Sequence, residues 1–283
     1  MTEYVRPRDL SEALAARAEH PDWMVLAGGT DLMVNANHRA APPGIIDLWR
    51  LPGLHAFALR EDGISIGAGA TWLEVERHPA IVQRWAPLAA AAREIGALQI
   101  QARATLGGNV GTSSPVGDSL PVLLALDAAL EVASPRGRRR VAYRDWCTGY
   151  RTTQLAPDEL IVAAHVPVPG TTTRTAWRKV GTRRAQSISK VMGAAAITLD
   201  GDIVVDARIA LGAVANRPIR VATVEAAVRG LRLADAAEAA RAAVASAIHP
   251  IDDVRSTASY RREVAANLVA RFFATTATEP SMS

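Results

Sequence analysis

The hydrophobic pattern at the start of the chain predicts a small βαβ arrangement. Apolar positions at helical spacing over Leu10–Ala18 predict a helix, with Ser11 as its N-cap. Apolar runs at Trp23–Ala27 and Ile45–Leu48 predict two strands, and the helix-compatible segment LMVNANH lies between them. The first run ends at the pair Gly28–Gly29, so we expect the chain to turn sharply there.

The middle of the chain mixes strand-like and helical patterns. Short apolar runs on both sides of the dipeptide Asp62-Gly63 are typical of a hairpin. Three segments have helical patterns, namely Trp72–His78, Pro87–Ile95 and Leu120–Leu126. Three others predict antiparallel strands, namely Ala129–Ala133, Arg140–Tyr143 and Leu160–Val166.

The last third of the chain predicts a separate unit. Alternating apolar residues at Ala194–Leu199 and Ile203–Leu211 predict strands, and alanine-rich helices are expected over 222–248 and 258–273. The turn-rich segment Val168–Thr173 is the predicted boundary before this unit. The predicted division is a first subdomain at 1–55, a second at 56–170, a C-terminal domain at 174–275 and a disordered tail at 276–283.

Composition indicates an ordinary globular protein. The chain has 283 residues, of which 49% are hydrophobic and 21% charged. Cys147 is the single cysteine, so the chain forms no intramolecular disulfide and has no cysteine cluster for zinc or iron–sulfur. No apolar run follows the charges at the N-terminus and no long apolar stretch occurs. We therefore expect no signal peptide, no membrane span and a cytoplasmic location.

Charge and scattered reactive residues exclude several other functions. The formal net charge is +4, and the densest basic run is Arg136–Arg140, which contains Gly137 and follows Pro135. The run lies between two strand patterns, and no aromatic residue is interleaved with its arginines. It therefore predicts a solvated hairpin tip and no nucleic-acid site. The six histidines form no metal-ligand spacing, and no G-x-S-x-G motif is present.

The first glycine-rich segment, Ala27–Leu32, has the chemistry of an anion site. Two glycines after a strand allow close backbone approach, and the unpaired amides of the following helix favour a pyrophosphate. The spacing is neither that of a dinucleotide-binding G-x-G-x-x-G motif nor that of a P-loop. A plain strand–helix turn therefore stays open as an alternative.

The second glycine-rich segment, Thr105–Pro115, is small and largely polar throughout. So many glycines and hydroxyls in one loop suit backbone approach to an extended, polyhydroxylated ligand, although a flexible surface loop is the alternative. Asp118 then precedes an apolar helix. Its carboxylate would either cap that helix or bind a ligand.

Four motifs together resemble a known family. They occur in order along nearly the whole chain: AGGTDLM, ATLGGNVGTSSPVGDSLPVLLALDA, the segment Lys179–Ser189, and the segments Asp253–Ser256 and Tyr260–Arg262. They are similar to the FAD-binding medium subunit of the xanthine dehydrogenase and carbon monoxide dehydrogenase family, the molybdenum hydroxylases. The resemblance implies an α+β chain with an FAD-binding fold of the vanillyl-alcohol oxidase and p-cresol methylhydroxylase type. That fold comprises a small βαβ subdomain and a larger antiparallel-sheet subdomain, followed by a C-terminal α+β domain of the CO dehydrogenase flavoprotein type.

The resemblance also implies a set of cofactor-binding residues and no catalytic or metal-binding ones. The first segment would hold the FAD pyrophosphate through backbone amides, Asp118 would accept from a cofactor hydroxyl, and Lys179 would lie near the cofactor. Ile95 and Ile161 would pack on its rings, although plain core positions are the alternative, as a solvated strand end is for Lys179. The implied set is Ala27, Gly28, Gly29, Thr30, Asp31, Leu32, Ile95, Thr105, Gly107, Gly108, Asn109, Gly111, Thr112, Ser114, Asp118, Ile161 and Lys179.

One local departure from the family accompanies this set. The family often has Arg-Asn before the second segment, where this chain has Gln101 and Ala102. The departure puts contacts to cofactor neighbours in doubt at these two positions.

The function that the resemblance implies is electron transfer inside a larger enzyme. Noncovalent FAD would take electrons from the [2Fe–2S] clusters of a small subunit, serve a large molybdenum-cofactor subunit that oxidises the substrate, and pass electrons to NAD⁺, oxygen or another acceptor. The assembly would be a dimer of heterotrimers. A self-contained flavin oxidoreductase of the same fold and a flavin-free scaffold subunit are the alternatives.

Overall fold

The computed structural model describes residues 2–38, 40–183 and 186–278. Its N-terminal region contains a three-stranded parallel sheet in the order β1-β3-β2. The elements are β1 (Glu3–Val5), α1 (Leu10–Glu19), β2 (Met24–Leu26), a 3-10 helix (Leu32–His38) and β3 (Gly44–Asp47). The predicted helix and both predicted strands are present; β2 is one residue shorter at each end than predicted, and β3 begins and ends one residue earlier.

Three details of this region differ from the sequence prediction. The N-cap of α1 is Asp9, whose carboxylate accepts from the Glu12 N–H at 2.9 Å, and not Ser11. The segment LMVNANH is a 3-10 helix. The strand β1 was not predicted, because all three of its residues are exposed and no alternation marks them.

The second region is built on a five-stranded antiparallel sheet in the order β4-β5-β10-β6-β7. The predicted strands at β6, β7 and β10 and the hairpin about Asp62-Gly63 are confirmed. The strands are β4 (Phe57–Leu59), β5 (Gly63–Gly67), β6 (Ala129–Ser134), β7 (Gly137–Ala142), the small pair β8 (Cys147–Gly149) and β9 (Thr152–Thr153), and β10 (Leu160–Pro167). The helices are α2 (Trp72–Arg77), α3 (Pro79–Arg84), α4 (Ala86–Glu94), α5 (Leu98–Gln101), α6 (Leu106–Thr112), α7 (Leu120–Ala125) and α8 (Tyr143–Trp146).

The C-terminal region has a four-stranded antiparallel sheet, β11 (Thr173–Val180), β12 (Val191–Asp200), β13 (Ile203–Gly212) and β14 (Ile219–Arg220), with α9 (Ala222–Val228), α10 (Leu233–Val244) and α11 (Ala258–Thr278). The single helix predicted over 222–248 is two helices, because Gly230 adopts φ +81° between them. The last helix runs through 276–278, where a disordered tail was predicted. Residues 279–283 lie outside the described part of the chain.

Strand β12 joins the last two regions, because it is buried on both faces. Ala194 and Ala196 pack into the core of the second region, whereas Ala195 and Ile197 pack against the C-terminal helices. The opposite directions of successive side chains in a strand explain this division. Segments that lie at this junction are therefore held by two cores at once.

The arginine-rich hairpin is exposed, as predicted, but Arg136, Arg138 and Arg139 are paired with carboxylates. Arg136 pairs with Asp158, and Arg139 donates two hydrogen bonds to the buried Glu159, both at 2.7 Å. These contacts fix the hairpin on the loop before β10. Within the described residues, no helix is long and apolar enough to cross a membrane.

Candidate functional site

The two glycine-rich segments lie against each other. A Cβ added at Gly28 would overlap the carbonyl oxygen of Arg103, so the first segment packs on the main chain that directly precedes the second. Gly29 adopts φ +75°, a left-handed conformation that glycine allows at low cost. The structure thus brings together two motifs that are more than seventy residues apart in the sequence.

The first segment leaves a run of backbone donors unpaired. Within the described residues, the N–H groups of Gly28, Gly29, Thr30 and Asp31 donate to no protein acceptor. The segment is partly exposed and leads directly into the 3-10 helix at Leu32. Consecutive unpaired amides beside a left-handed glycine form the kind of concavity that binds phosphate oxygens.

The second segment is a helix, α6, and not the turn that the sequence indicates. The Thr105 hydroxyl accepts from the Gly108 N–H at 3.0 Å and caps this helix, while Leu106 and Val110 are fully buried. This packing outweighs the poor helix propensity of three glycines, each of which costs about 1 kcal/mol relative to alanine. The N–H of Gly107 donates to the Ala68 carbonyl at 2.7 Å and is not available to a ligand.

One face of α6 is bare backbone. Gly108 and Gly111 are both exposed and lie three residues apart, which places them on the same side of a helix. A Cβ at Gly108 would meet only the Thr105 hydroxyl at 3.0 Å, and one at Gly111 only Cδ1 of Ile161 at 3.5 Å. A Cβ at Gly107, by contrast, would lie 2.8 Å from Ala68. Gly107 therefore serves packing, whereas Gly108 and Gly111 leave room for an extended ligand.

Asp118 is the centre of a buried polar cluster. Its carboxylate accepts from Nζ of Lys179 and from Oγ of Ser189, both at 2.6 Å. Its backbone carbonyl accepts from Nε1 of Trp177 at 3.1 Å. Asp118 does not cap the following helix, whose N-cap residue is Ser119. Burial raises the pKa of Asp118, and the charge and hydrogen bond of Lys179, followed by the hydrogen bond of Ser189, act in the opposite direction.

Lys179 is not a solvated strand end, because its side chain is only 4% exposed. Its ammonium group also donates to the carbonyl of Glu94 at 3.1 Å, next to Ile95. Ile161 lies against Gly111, on the bare face of α6. Both isoleucines also pack on the large core, so they are core residues that border the site.

The other members of the predicted set have defined contacts. Oδ1 of Asn109 accepts from Ser119 at 2.6 Å, and the Asp31 carboxylate pairs with Arg151 at 3.3 Å. The Ser114 hydroxyl accepts weakly from the Val116 N–H at 3.4 Å. Thr112 lies partly exposed at the end of α6. The departure at Gln101 is explained by packing, because its buried amide donates to the Arg93 carbonyl at 2.7 Å and completes the end of α4.

Two important residues were not selected from the sequence. Ser189 and Trp177 both reach Asp118 from the C-terminal region. Ser189 lies inside the Lys179–Ser189 motif, but nothing in its local pattern distinguishes it from the neighbouring Ser187. In the described residues no group of three or more His, Cys, Asp or Glu side chains could hold a metal ion.

The contact at Gly28 predicts a structural effect. Gly28→Ala should lower the free energy of unfolding of the flavin-free chain by about 1–3 kcal/mol or more, because the added Cβ meets main-chain atoms that a rotamer change cannot move. Urea unfolding measures it. The control is Gly170→Ala, whose Cβ makes only an ordinary contact of 3.4 Å with Thr173. Equal midpoints for the two variants would contradict the close approach.

Comparison with known proteins bears on the same segments. Residues 1–169 match the family described as "FAD binding domain in molybdopterin dehydrogenase". Residues 176–276 match the "CO dehydrogenase flavoprotein C-terminal domain". The glycine-rich segments and Asp118 lie in the first match, and Lys179 and Ser189 lie in the second.

Individual relatives are similar to this chain over most of its length. The glyceraldehyde dehydrogenase medium chain of Sulfolobus acidocaldarius is 32% identical over 272 residues, which is 95% of this chain and 96% of the relative. A putative xanthine dehydrogenase FAD-binding subunit of Escherichia coli is 37% identical over 221 residues, 77% of this chain and 75% of the relative. The structure of carbon monoxide dehydrogenase from Hydrogenophaga pseudoflava superposes with a TM-score of 0.91 at 30% identity and covers 95% of both chains. The predicted fold is thereby confirmed.

Proposed function

Because this chain belongs to the family of FAD-binding domains of molybdopterin dehydrogenases, with FAD as its cofactor, we propose that it works as the electron-transfer subunit of a multi-subunit molybdenum hydroxylase. It takes electrons from [2Fe–2S] clusters of a partner and passes them to NAD⁺, oxygen or another acceptor. The resemblance read from the sequence motifs and the identification as a flavoprotein oxidoreductase subunit are both confirmed by the family match.

One observation carries this proposal, namely that Gly28, in a run of unpaired amides, packs on Arg103 and Ala104, which directly precede the helix α6 and its bare face. The N–H groups of residues 28–31 supply donors for a pyrophosphate, and the Gly108–Gly111 face of α6 allows the rest of an extended cofactor to approach the backbone. These features supply the amide donors and the open main chain that a bound FAD would need. No histidine tether is required, so FAD is held noncovalently.

When it is bound, FAD supplies the redox chemistry that the side chains of this chain lack. The protein's own residues orient it and shield it. Ile161 and Ile95 border the candidate site with apolar surface, and Asp118 and Lys179 form a buried charge pair where the last two regions meet. These side chains bind and position, and none of them is required as a proton donor or acceptor.

The proposed partners are those that the family of this chain implies. We propose a small subunit that carries the [2Fe–2S] clusters and a large subunit that carries the molybdenum cofactor, arranged as a dimer of heterotrimers in the cytoplasm. This proposal is supported by the relatives, whose names describe medium chains or FAD subunits. Substrate oxidation then takes place in the large subunit.

The visible spectrum of the purified full chain tests the proposal. We expect flavin bands, or their appearance after FAD is added, and no turnover of any substrate by this chain alone. Absence of FAD binding under both conditions would support the flavin-free scaffold instead. Substrate turnover without partner subunits would identify a self-contained flavin oxidoreductase.

A further inference from the structure

The first glycine-rich segment carries an acidic side chain at the place where the backbone is suited to an anion. Asp31 is the last of the four residues whose N–H groups are unpaired within the described part of the chain. Phosphates bound in this segment bring negative charge close to the Asp31 carboxylate, and like charges repel each other. A cation that neutralises Asp31 therefore strengthens the segment as an anion site.

Arg151 supplies this cation from a distant part of the sequence. Its Nη1 lies 3.3 Å from Oδ2 of Asp31 and donates a hydrogen bond to it, although 120 residues separate the two positions. Among the residues that the structure describes, no other cation pairs with Asp31. The charge of Asp31 is therefore balanced by a single side chain from outside the segment.

The local conformation of Arg151 does not account for an arginine at this position. Arg151 lies at the tip of the β8–β9 hairpin, between Gly149 and Thr152, and adopts φ +52°. This left-handed conformation is unfavourable for a residue with a side chain, and glycine or asparagine suits such a turn better. The contact that the guanidinium makes with Asp31 is thus the feature that only the arginine provides.

The base of the same hairpin is attached to the second glycine-rich segment. The Sγ atom of Cys147 lies 3.0 Å from Oγ of Ser113, the residue that ends α6, and both side chains are buried. Directly before the hairpin, Nε1 of the buried Trp146 donates to the carbonyl of Val110 in α6 at 3.2 Å. The hairpin therefore extends from the end of α6 to Asp31 and connects the two segments of the candidate site.

We propose that Arg151 is a positioning residue for the cofactor diphosphate. It neutralises Asp31, and the unpaired amides of the first glycine-rich segment can then accept the phosphates without repulsion from that carboxylate. Arg151 thus acts on cofactor binding through Asp31. The inference rests on the proposed function, because it takes FAD as the ligand from it.

A double-variant cycle on the full, flavin-free chain tests this assignment by titration with FAD. Arg151→Met should weaken FAD binding by about tenfold or more, because Asp31 is left uncompensated beside the phosphates. Asp31→Asn combined with Arg151→Met should restore most of the affinity, since asparagine keeps the backbone N–H and carries no charge. Unchanged affinity in Arg151→Met, or a double variant that binds as weakly as Arg151→Met, would overturn the assignment.

The dependence on salt separates a charge effect from a lost contact. The difference in FAD affinity between the wild type and Arg151→Met should shrink at about 1 M NaCl, where charges are screened over about 3 Å. A difference that stays the same at high salt would contradict the role of charge. Thermal midpoints should change little, because exposed ion pairs contribute little to stability.

Arg241→Met is the matched control. Arg241 and its partner Glu263 are 43% and 63% exposed, compared with 39% for Arg151 and 46% for Asp31, and their pair joins α10 to α11. FAD affinity should be unchanged in this variant, and a loss equal to that of Arg151→Met would overturn the assignment. If the wild-type chain binds no FAD, the proposed function fails and this inference fails with it. If the wild type binds FAD and Arg151→Met binds it equally well, only this inference is wrong.

Discussion

Gly108→Val should remove FAD binding while leaving the fold intact, with a loss of affinity of at least about tenfold, or about 1.4 kcal/mol. The structure makes this outcome specific, because a Cβ at Gly108 meets no protein atom except the Thr105 hydroxyl at 3.0 Å. The added side chain would occupy the space that the bare face of α6 leaves to the cofactor. FAD content of the purified chain and its titration with free FAD measure the effect.

Gly108→Ala separates binding from stability. Alanine in a helix is favoured over glycine by about 0.5–1 kcal/mol, so the flavin-free variant should unfold at the same or a higher urea concentration than the wild type while it binds FAD more weakly. Gly170→Val, in the loop before β11, is the control for the larger side chain. A Gly108→Val protein with wild-type FAD affinity would show that the cofactor does not approach this face.

The turns and strands of the fold could be predicted from the sequence, whereas the glycine-rich helix α6 could not. Gly28–Gly29 after an apolar run predicts a turn, and the apolar runs at β6 and β10 predict antiparallel strands, because residue pattern and turn chemistry are local properties. The helix α6 was missed for the same reason. Glycines have low helix propensity, and the burial of Leu106 and Val110 that overrides it is a tertiary effect.

The candidate site, like the fold, was only partly predicted from the sequence. The glycine segments were found because close backbone approach requires a residue without a side chain. The cluster about Asp118 was only partly found, since Lys179 and Ser189 lie 61 and 71 residues away and meet it through the packing of β12. No local pattern encodes such a meeting. Nor does any local pattern show that Gly107 packs on Ala68 while Gly108 faces open space.

Lys179→Met should have the largest effect on stability, a loss of about 3–5 kcal/mol in the free energy of unfolding at neutral pH. The reason is that the substitution leaves the Asp118 carboxylate buried without its cation, and an uncompensated buried charge is strongly unfavourable. The side chains of the pair are only 4% and 10% exposed, so solvent screens the pair little. Urea unfolding of the flavin-free chain measures the loss. Lys190→Met is a matched control, since Lys179 and Lys190 are the two lysines of the chain and Lys190 is half-buried over Tyr260.

The stability loss in Lys179→Met should depend on pH in a direction that follows from the pKa of Asp118. Burial already raises the pKa of Asp118, and removal of Lys179 takes away the interaction that opposes this rise most strongly, so the pKa increases further. In the variant the folded state then binds a proton that the unfolded state releases, and stability falls as pH rises from the unfolded pKa through the folded one. The deficit relative to wild type should therefore be largest at neutral pH and should shrink under mildly acidic conditions. A deficit independent of pH would mean that lost packing, and not the unpaired carboxylate, causes it.

The double variant Asp118→Asn, Lys179→Met completes this argument. Asparagine keeps the acceptor for Ser189 but carries no charge, so the double variant should recover most of the stability that Lys179→Met loses, and it should lack the additional pH dependence that the unpaired Asp118 carboxylate gives to Lys179→Met. FAD affinity should not recover in parallel if Asp118 also accepts a hydrogen bond from a cofactor hydroxyl, because an amide oxygen is a weaker acceptor than a carboxylate. Recovery of both stability and FAD affinity would show that Asp118 and Lys179 stabilise the fold and do not bind FAD.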